Sequence, residues 1–178
     1  FQPDVVLDMV PIVRADAVDA VLAFTGMAGR MVAISSQDVY LAYDILRKRE
    51  QQAPIEQPMT EDAPLRDQLF PYRNLFPADN RMHDYDKIPI EQTYLAEPEL
   101  PATILRLPAV YGPDDYQHRM FPYLRRMVDR RRSIILDQQG AGWRWSRTYV
   151  GNAAEAIARS IIDDRAAGRV YNVAEPRA

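Results

Sequence analysis

The chain predicts a parallel α/β sheet, and three observations carry that reading. Short apolar runs alternate with segments of helical period, the runs lack the apolar/polar alternation of a half-exposed strand, and turn residues bound them. With 178 residues, 47% hydrophobic and 26% charged, the chain is long enough for one domain with a sizeable core. It has no cysteine, which removes disulfides, Cys-ligated metal and thiol catalysis and fits a reducing compartment. The two histidines, His83 and His118, do not make a His-rich metal site. A net charge of −3 gives no global basic field for nucleic acid. No run approaches the ~18 apolar residues of a membrane span, and no basic-then-apolar export pattern opens the chain. These features predict a cytoplasmic protein with no membrane contact and disfavour a nucleic-acid partner.

Asp4 to Val10 is a short apolar run suited to a buried parallel strand. Arg14 to Phe24 follows with Val13, Ala17, Val18, Val21 and Leu22 at helical spacing, and Gly26 and Gly29 stand where a helix would stop. Met31 to Ser36 is a second strand ending in two hydroxyls, the end at which an open α/β sheet presents chemistry. Leu41 to Arg49 predicts a short helix. From about 50 to 80, prolines and polar residues make a connection too long for an ordinary loop, a lid or an insertion. There Tyr72, Arg73 and Phe76 either contact a ligand or, the better-supported reading, anchor the loop to the body.

A helix from His83 to Leu95, a strand from Thr103 to Val110 and a turn at Tyr111-Gly112-Pro113 come next. Phe121 to Arg132 reads as a basic helix carrying Arg125, Arg126, Arg130, Arg131 and Arg132. A solvated face is its ordinary meaning, and phosphate binding by forked guanidinium groups its sharper one. The apolar run Ser133 to Leu136 and the stretch Trp143 to Val150 lead to a helix from Ala153 to Asp163 capped by Asn152, and Gly168 to Ala174 is a last strand.

The stretch from His83 to Glu91 concentrates the chemistry, with an imidazole, a phenol and an ammonium within five residues. A tyrosine relays protons at neutral pH only if a cation lowers its pKa from ~10. On a helix, the partner of Lys87 lies three or four residues away, which selects His83, whereas Tyr85 would be turned roughly 200° from Lys87. Against this, Pro89 is comfortable only in a first turn, and an N-cap at Asp86 would let Tyr85 and Lys87 straddle the helix start. The residues leave the acid/base group open between Tyr85 and His83.

Several motifs, in order and spread over nearly the whole chain, resemble the extended and atypical short-chain dehydrogenase/reductases, the NAD-dependent epimerase/dehydratase family. Ser35-Ser36-Gln37-Asp38-Val39-Tyr40 is similar to its strand-end serine motif. Lys87 and Glu91 match the lysine and glutamate of its Tyr-x-x-x-Lys-x-x-x-Glu helix. Leu105 to Pro113 resembles its strand and Tyr-Gly-Pro turn, while Tyr149-Val150-Gly151-Asn152 and Val170-Tyr171-Asn172-Val173 resemble two later landmarks. The departures are His83 at the motif tyrosine, Ala109 where many members have asparagine, and Asn152 where aspartate is common.

The resemblance implies a Rossmann-like parallel sheet with flanking helices, NAD or NADP as cofactor, and epimerisation, dehydration or reduction of a small-molecule substrate, a nucleotide-sugar-like or other hydroxyl or carbonyl compound. Ser36 would bind the substrate oxygen, Tyr85 or His83 would move the proton, and Lys87 would hold the nicotinamide ribose and lower the phenol's pKa. Ser35 and Pro108 would join Lys87 at the cofactor. Arg125, Arg126, Arg144 and Arg147 are candidates for substrate phosphates, with a substrate region starting near 111. Two helices, Arg14–Phe24 and His83–Leu95, resemble those that pair across the family's dimer, with Val18, Leu22, Ile90 and Tyr94 as apolar-face candidates for a homodimer.

The family's Gly-x-x-Gly-x-x-Gly pyrophosphate turn does not occur in these 178 residues, and Asp4–Val10 resembles its fourth strand. Residues 1–178 are therefore expected to be a partial NAD(P)-binding domain with weak dinucleotide affinity on its own. Two rival classes stand beside the enzyme: a non-catalytic dinucleotide-binding sensor, favoured by His83 at the motif position, and an RNA-binding member using the Arg119–Arg132 segment, disfavoured by the acidic balance.

Overall fold

A computed structural model of the chain describes residues 2–48, 59–136 and 146–175. Its elements are β1 (Val5–Asp8), α1 (Arg14–Phe24), β2 (Arg30–Ser36), α2 (Leu41–Lys48), α3 (Lys87–Leu95), β3 (Ala102–Leu107), β4 (Ala109–Tyr111), α4 (Phe121–Val128), β5 (Arg147–Tyr149), α5 (Val150–Ile162) and β6 (Val170–Asn172). Four strands form one parallel sheet in the order β1-β2-β3-β6, and β4 pairs with β5 in a small second sheet. This is the predicted Rossmann-like parallel architecture with flanking helices.

The two central strands are buried along nearly their whole length, which explains their continuous apolar sequence. Alternate side chains serve opposite faces. Met31, Ala33 and Ile104 pack with Ala17 of α1 and with Ile90 and Tyr94 of α3, whereas Val32, Ile34 and Leu105 pack against Ile157 of α5. Burial of this kind stabilises by roughly 25 cal/mol per Å² of apolar surface. Ile90 and Tyr94, each 1% exposed, therefore belong to the core and not to a pairing face. Leu22 is 77% exposed, and Val18 is half-buried.

Element ends follow local chemistry. The α1 boundaries are those the spacing predicts, with Asp16 accepting from the backbone N–H groups of Ile12 and Val13 at 2.8 and 3.0 Å. Gly26 just beyond the helix has φ +75°, the left-handed conformation glycine takes without a Cβ penalty. The predicted strand Thr103–Val110 divides at Pro108, which has no N–H for a ladder: β3 joins the main sheet and β4 the small one.

The predicted basic helix stops at Val128, because Arg130 adopts φ 53°. Ser133–Leu136 is exposed and forms no strand. Likewise α5 starts at Val150, ahead of the expected cap, and Asn152 lies inside its first turn, holding Glu175 through Nδ2 at 2.9 Å. Among the described residues no helix is long and apolar enough to cross a membrane.

Candidate active site

The largest correction falls on the chemical stretch. No continuous helix runs from His83: a 3-10 turn covers Arg81–Asp84, Tyr85 and Asp86 are extended, and α3 begins at Lys87. Asp86 is the N-cap, accepting from Ile88 N at 2.9 Å, so Pro89 sits in the first turn, where a missing N–H costs nothing. The extended backbone at Tyr85 removes the helical objection to a meeting with Lys87. The ammonium lies 5.8 Å from the Tyr85 ring centroid.

Lys87 reaches across the strand ends, donating to Pro11 O at 2.5 Å and Ile34 O at 3.2 Å. Burial pushes its pKa down, against the opposing charges of Asp38, Asp8, Glu91 and Asp16. Tyr85 is 8% exposed and donates to Asp38 Oδ2 at 3.0 Å. Ser36 stands beside them at the end of β2, where its Oγ accepts from Asp38 N at 3.2 Å and lies near enough to the phenol to favour its ionised form. The net direction for Tyr85 is nevertheless upward, because burial and the Asp38 carboxylate both oppose a phenolate. Burial and Asp38 outweigh whatever lowers it.

Behind this group lies a buried network. Ser35 donates to Glu91 Oε1 at 2.5 Å, and Glu91 takes two hydrogen bonds at its other side from Arg106, 2.7 and 3.2 Å to Oε2. Arg106 also donates to Tyr40 Oη at 2.8 Å and to Glu61 O at 2.9 Å. The hydroxyl of Ser35, expected at the cofactor, is thus turned into the body as a strut. A second buried pair, Arg66 with Asp86 at 2.5 Å, ties the residue 59–80 connection to the α3 cap. Arg66 also donates to Asp38 O at 3.0 Å.

His83 is held by the loop before it. Its Nδ1 lies 2.9 Å from Phe76 O, and since a carbonyl only accepts, Nδ1 carries the proton. Tyr72 packs on Phe76 and, at 5.2 Å, on Tyr85, and Arg73 pairs with Asp84 at 2.8 Å and stacks on Phe70. The anchoring reading of these loop residues holds.

The phosphate candidates make their own contacts with residues outside the cluster. Arg125 approaches Asp129 at 3.7 Å, Arg126 donates to Pro122 O at 2.5 Å, and Arg147 stacks 5.3 Å from the Tyr123 ring centroid. Pro108 is half-buried at the β3–β4 break, and Arg144 lies outside the described residues. A groove of about 650 Å³ lined by Thr148, Arg159, Arg165 and Tyr171, among others, shares no residue with the strand-end cluster, so the chemistry and this groove are in different places.

Sequence reasoning missed Asp38 and Arg66. Asp38 stood two residues after Ser36 in the same strand-end turn, a signal within reach; Arg66, inside a long irregular connection, offered none.

The model of the NAD dependent epimerase/dehydratase family matches residues 16–174. No curated protein matches this chain. Among solved structures, it is similar to a functionally unknown conserved protein from Silicibacter pomeroyi (22% identity, 96% of this chain and 51% of that one, TM-score 0.56). It is also similar to dTDP-glucose 4,6-dehydratase from Bacillus anthracis, solved in complex with NAD (17%, 98% and 52%, TM-score 0.61). A third is UDP-glucuronic acid 4-epimerase from Bacillus cereus, solved with UDP-glucuronic acid and NAD (17%, 92% and 45%, TM-score 0.53). At these identities the structures establish the fold, and the chain spans about half the length of each. Through the family match over most of its length, the chain belongs to the NAD dependent epimerase/dehydratase family.

Proposed function

We propose that this chain contributes the nicotinamide-facing part of an NAD(P)-dependent epimerase/dehydratase or reductase acting on a hydroxyl or carbonyl of a nucleotide-sugar-like substrate. The observation that carries it is the convergence of Ser36, Tyr85 and Lys87 at the C-terminal end of β2, the place where open α/β sheets bind ligands. Family membership and the NAD-bound relatives support the cofactor.

The residues present fit one end of that cofactor. An ammonium has three N–H donors, two of which Lys87 places on Pro11 and Ile34, so one remains for a ribose hydroxyl. The pyrophosphate finds no Gly-x-x-Gly-x-x-Gly cradle among residues 1–178. The bound nicotinamide would supply or accept the hydride. Ser36 would hold the substrate oxygen, Tyr85 the proton, and Arg125, Arg126 and Arg147 the phosphates.

Between the two acid/base candidates, the cluster favours Tyr85. Tyr85→Phe should lower kcat by about 10²–10⁴ and leave NAD(P) affinity intact, whereas His83→Gln should change kcat little. The assay is conversion of nucleotide-linked sugars with NAD(P), followed by product chromatography and nicotinamide absorbance. Full activity in Tyr85→Phe would overturn the assignment. One observation favours the second reading, a dinucleotide sensor: Tyr85 is pushed away from ionisation. NAD(P) binding by calorimetry with no turnover of any sugar nucleotide would select it.

A further inference from the structure

The phenol of Tyr85 is hard to ionise, yet it is the hydroxyl that the fold brings to the strand end. The group behind it is a carboxylate that the reading above does not use. Asp38 is 7% exposed, receives the Tyr85 hydroxyl on Oδ2 at 3.0 Å, and has no hydrogen-bond partner for its buried Oδ1 among the described residues. A buried unpaired carboxylate oxygen costs free energy unless it is protonated. Ser36, half-buried, is the outermost of the three side chains.

We propose that Tyr85 and Asp38 form a proton relay, with Tyr85 Oη, beside Ser36, meeting the substrate oxygen and the Asp38 carboxyl as the proton store at the buried end. This rests on the enzyme reading above. In the oxidising direction the substrate O–H breaks and its proton bonds to Tyr85 Oη, while the Tyr85 proton passes to Asp38 Oδ2 along the 3.0 Å hydrogen bond. Two O–H bonds break and two form, Asp38 becomes neutral, and the hydride from the same carbon requires the oxidised nicotinamide of that reading. In such a chain the phenol receives one proton as it gives another and never becomes a phenolate, so its resistance to ionisation is no obstacle.

The charged surroundings suit a store that can be filled and emptied. Burial pushes the Asp38 carboxyl up, the charge of Asp86 adds to that, and the Tyr85 hydrogen bond with the charges of Arg66 and Lys87 opposes it. Tyr85 itself faces Tyr72 on its other side. Lys87 acts here by its charge, and its contacts with Pro11 O and Ile34 O hold it in place.

Two readouts on the intact enzyme test the relay. Infrared difference spectra between acidic and alkaline pH should show a protonated carboxyl band that disappears in Asp38→Asn and shifts in Tyr85→Phe, because the phenol is its hydrogen-bond donor. In turnover, Asp38→Asn should lower kcat by about 10²–10⁴ with less change in KM and should abolish the acidic limb of the pH–rate profile, while Asp38→Glu should restore that limb at a displaced pH. If Asp38→Asn does not fold, Tyr85→Phe, which keeps the ring packed on Tyr72, carries the same infrared test. An unshifted band in an active enzyme, or an acidic limb that survives Asp38→Asn, would sink the relay alone. A shifted band in a wild-type protein without turnover would sink the enzyme reading and the relay with it.

Discussion

Two charge-rich regions behave in opposite ways. Around the start of α3, Asp38, Arg66, Asp86, Lys87, Glu91 and Arg106 are all buried; four of the six form two ion pairs, and Lys87 donates to backbone carbonyls. On α4 and the residues after it, Arg125, Arg130, Arg131 and Arg132 are exposed, and the apolar side chains beside them, Phe121, Leu124 and Val128, are more than half exposed. In sequence the second region looks richer, because its charges come as a run. The first is assembled from single residues of separate segments, and burial makes each of its charges consequential.

The strongest way to sharpen that contrast is to remove Arg66. Its guanidinium and the Asp86 carboxylate have side-chain exposures of 0% and 1%, and Asp86 keeps only the N–H groups of Phe70 and Ile88 without it. Arg66→Met should cost about 3–5 kcal/mol by urea denaturation, the usual effect of leaving one buried charge unpaired. A loss below about 1 kcal/mol, the level of a surface pair, would erase the distinction between the regions.

This pairing also marks the limit of what could be read in the sequence. Helical spacing and Gly26 placed α1, the apolar runs placed β2 and β3, and Asp86 followed by Pro89 offered the start of α3 as an alternative to a helix from His83, because caps, turns and periods are local. The Arg66–Asp86 pair joins residues 20 apart through a long connection. Arg106 reaches Tyr40 over 66 residues and Arg30 reaches Ser160 O over 130. No local period encodes such contacts. The site was legible where the chain itself brings residues together, as with Tyr85 and Lys87. It was illegible where the sheet does so, as with Asp38 and Tyr85.

A second test lies inside the buried region and concerns pH. Burial raises the Asp38 carboxyl above its ordinary 3.8, so between that value and the native one the folded protein holds a proton that the unfolded chain has lost. The unfolded state then binds fewer protons, and stability falls as pH rises through the window. The contribution is fully present below 3.8 and lost above the native pKa. Asp38→Asn, which keeps an acceptor for Tyr85, should remove this slope, so the variant gains on the wild type as pH rises in parallel denaturation series. Curves of equal slope would show that Asp38 ionises in its site as freely as in the unfolded chain.

The smallest effect belongs to α4. Arg125 and Arg131 approach the one carboxylate of Asp129 at 3.7 and 3.8 Å, with side-chain exposures of 65% and 62%, so two mobile cations share a single partner in water. Screening and lost side-chain entropy leave exposed pairs worth about 0–1 kcal/mol. Arg125→Ala should therefore change stability by no more than about 0.5 kcal/mol, and the double-mutant coupling to Asp129→Ala should vanish in moderate salt. If Arg125 instead holds a substrate phosphate, the same variant raises KM for a nucleotide-linked sugar and weakens its salt dependence while stability stays put. A stability loss of several kcal/mol would mean that α4 is packed in solution against something that covers it, and the contrast between the two regions would have to be redrawn.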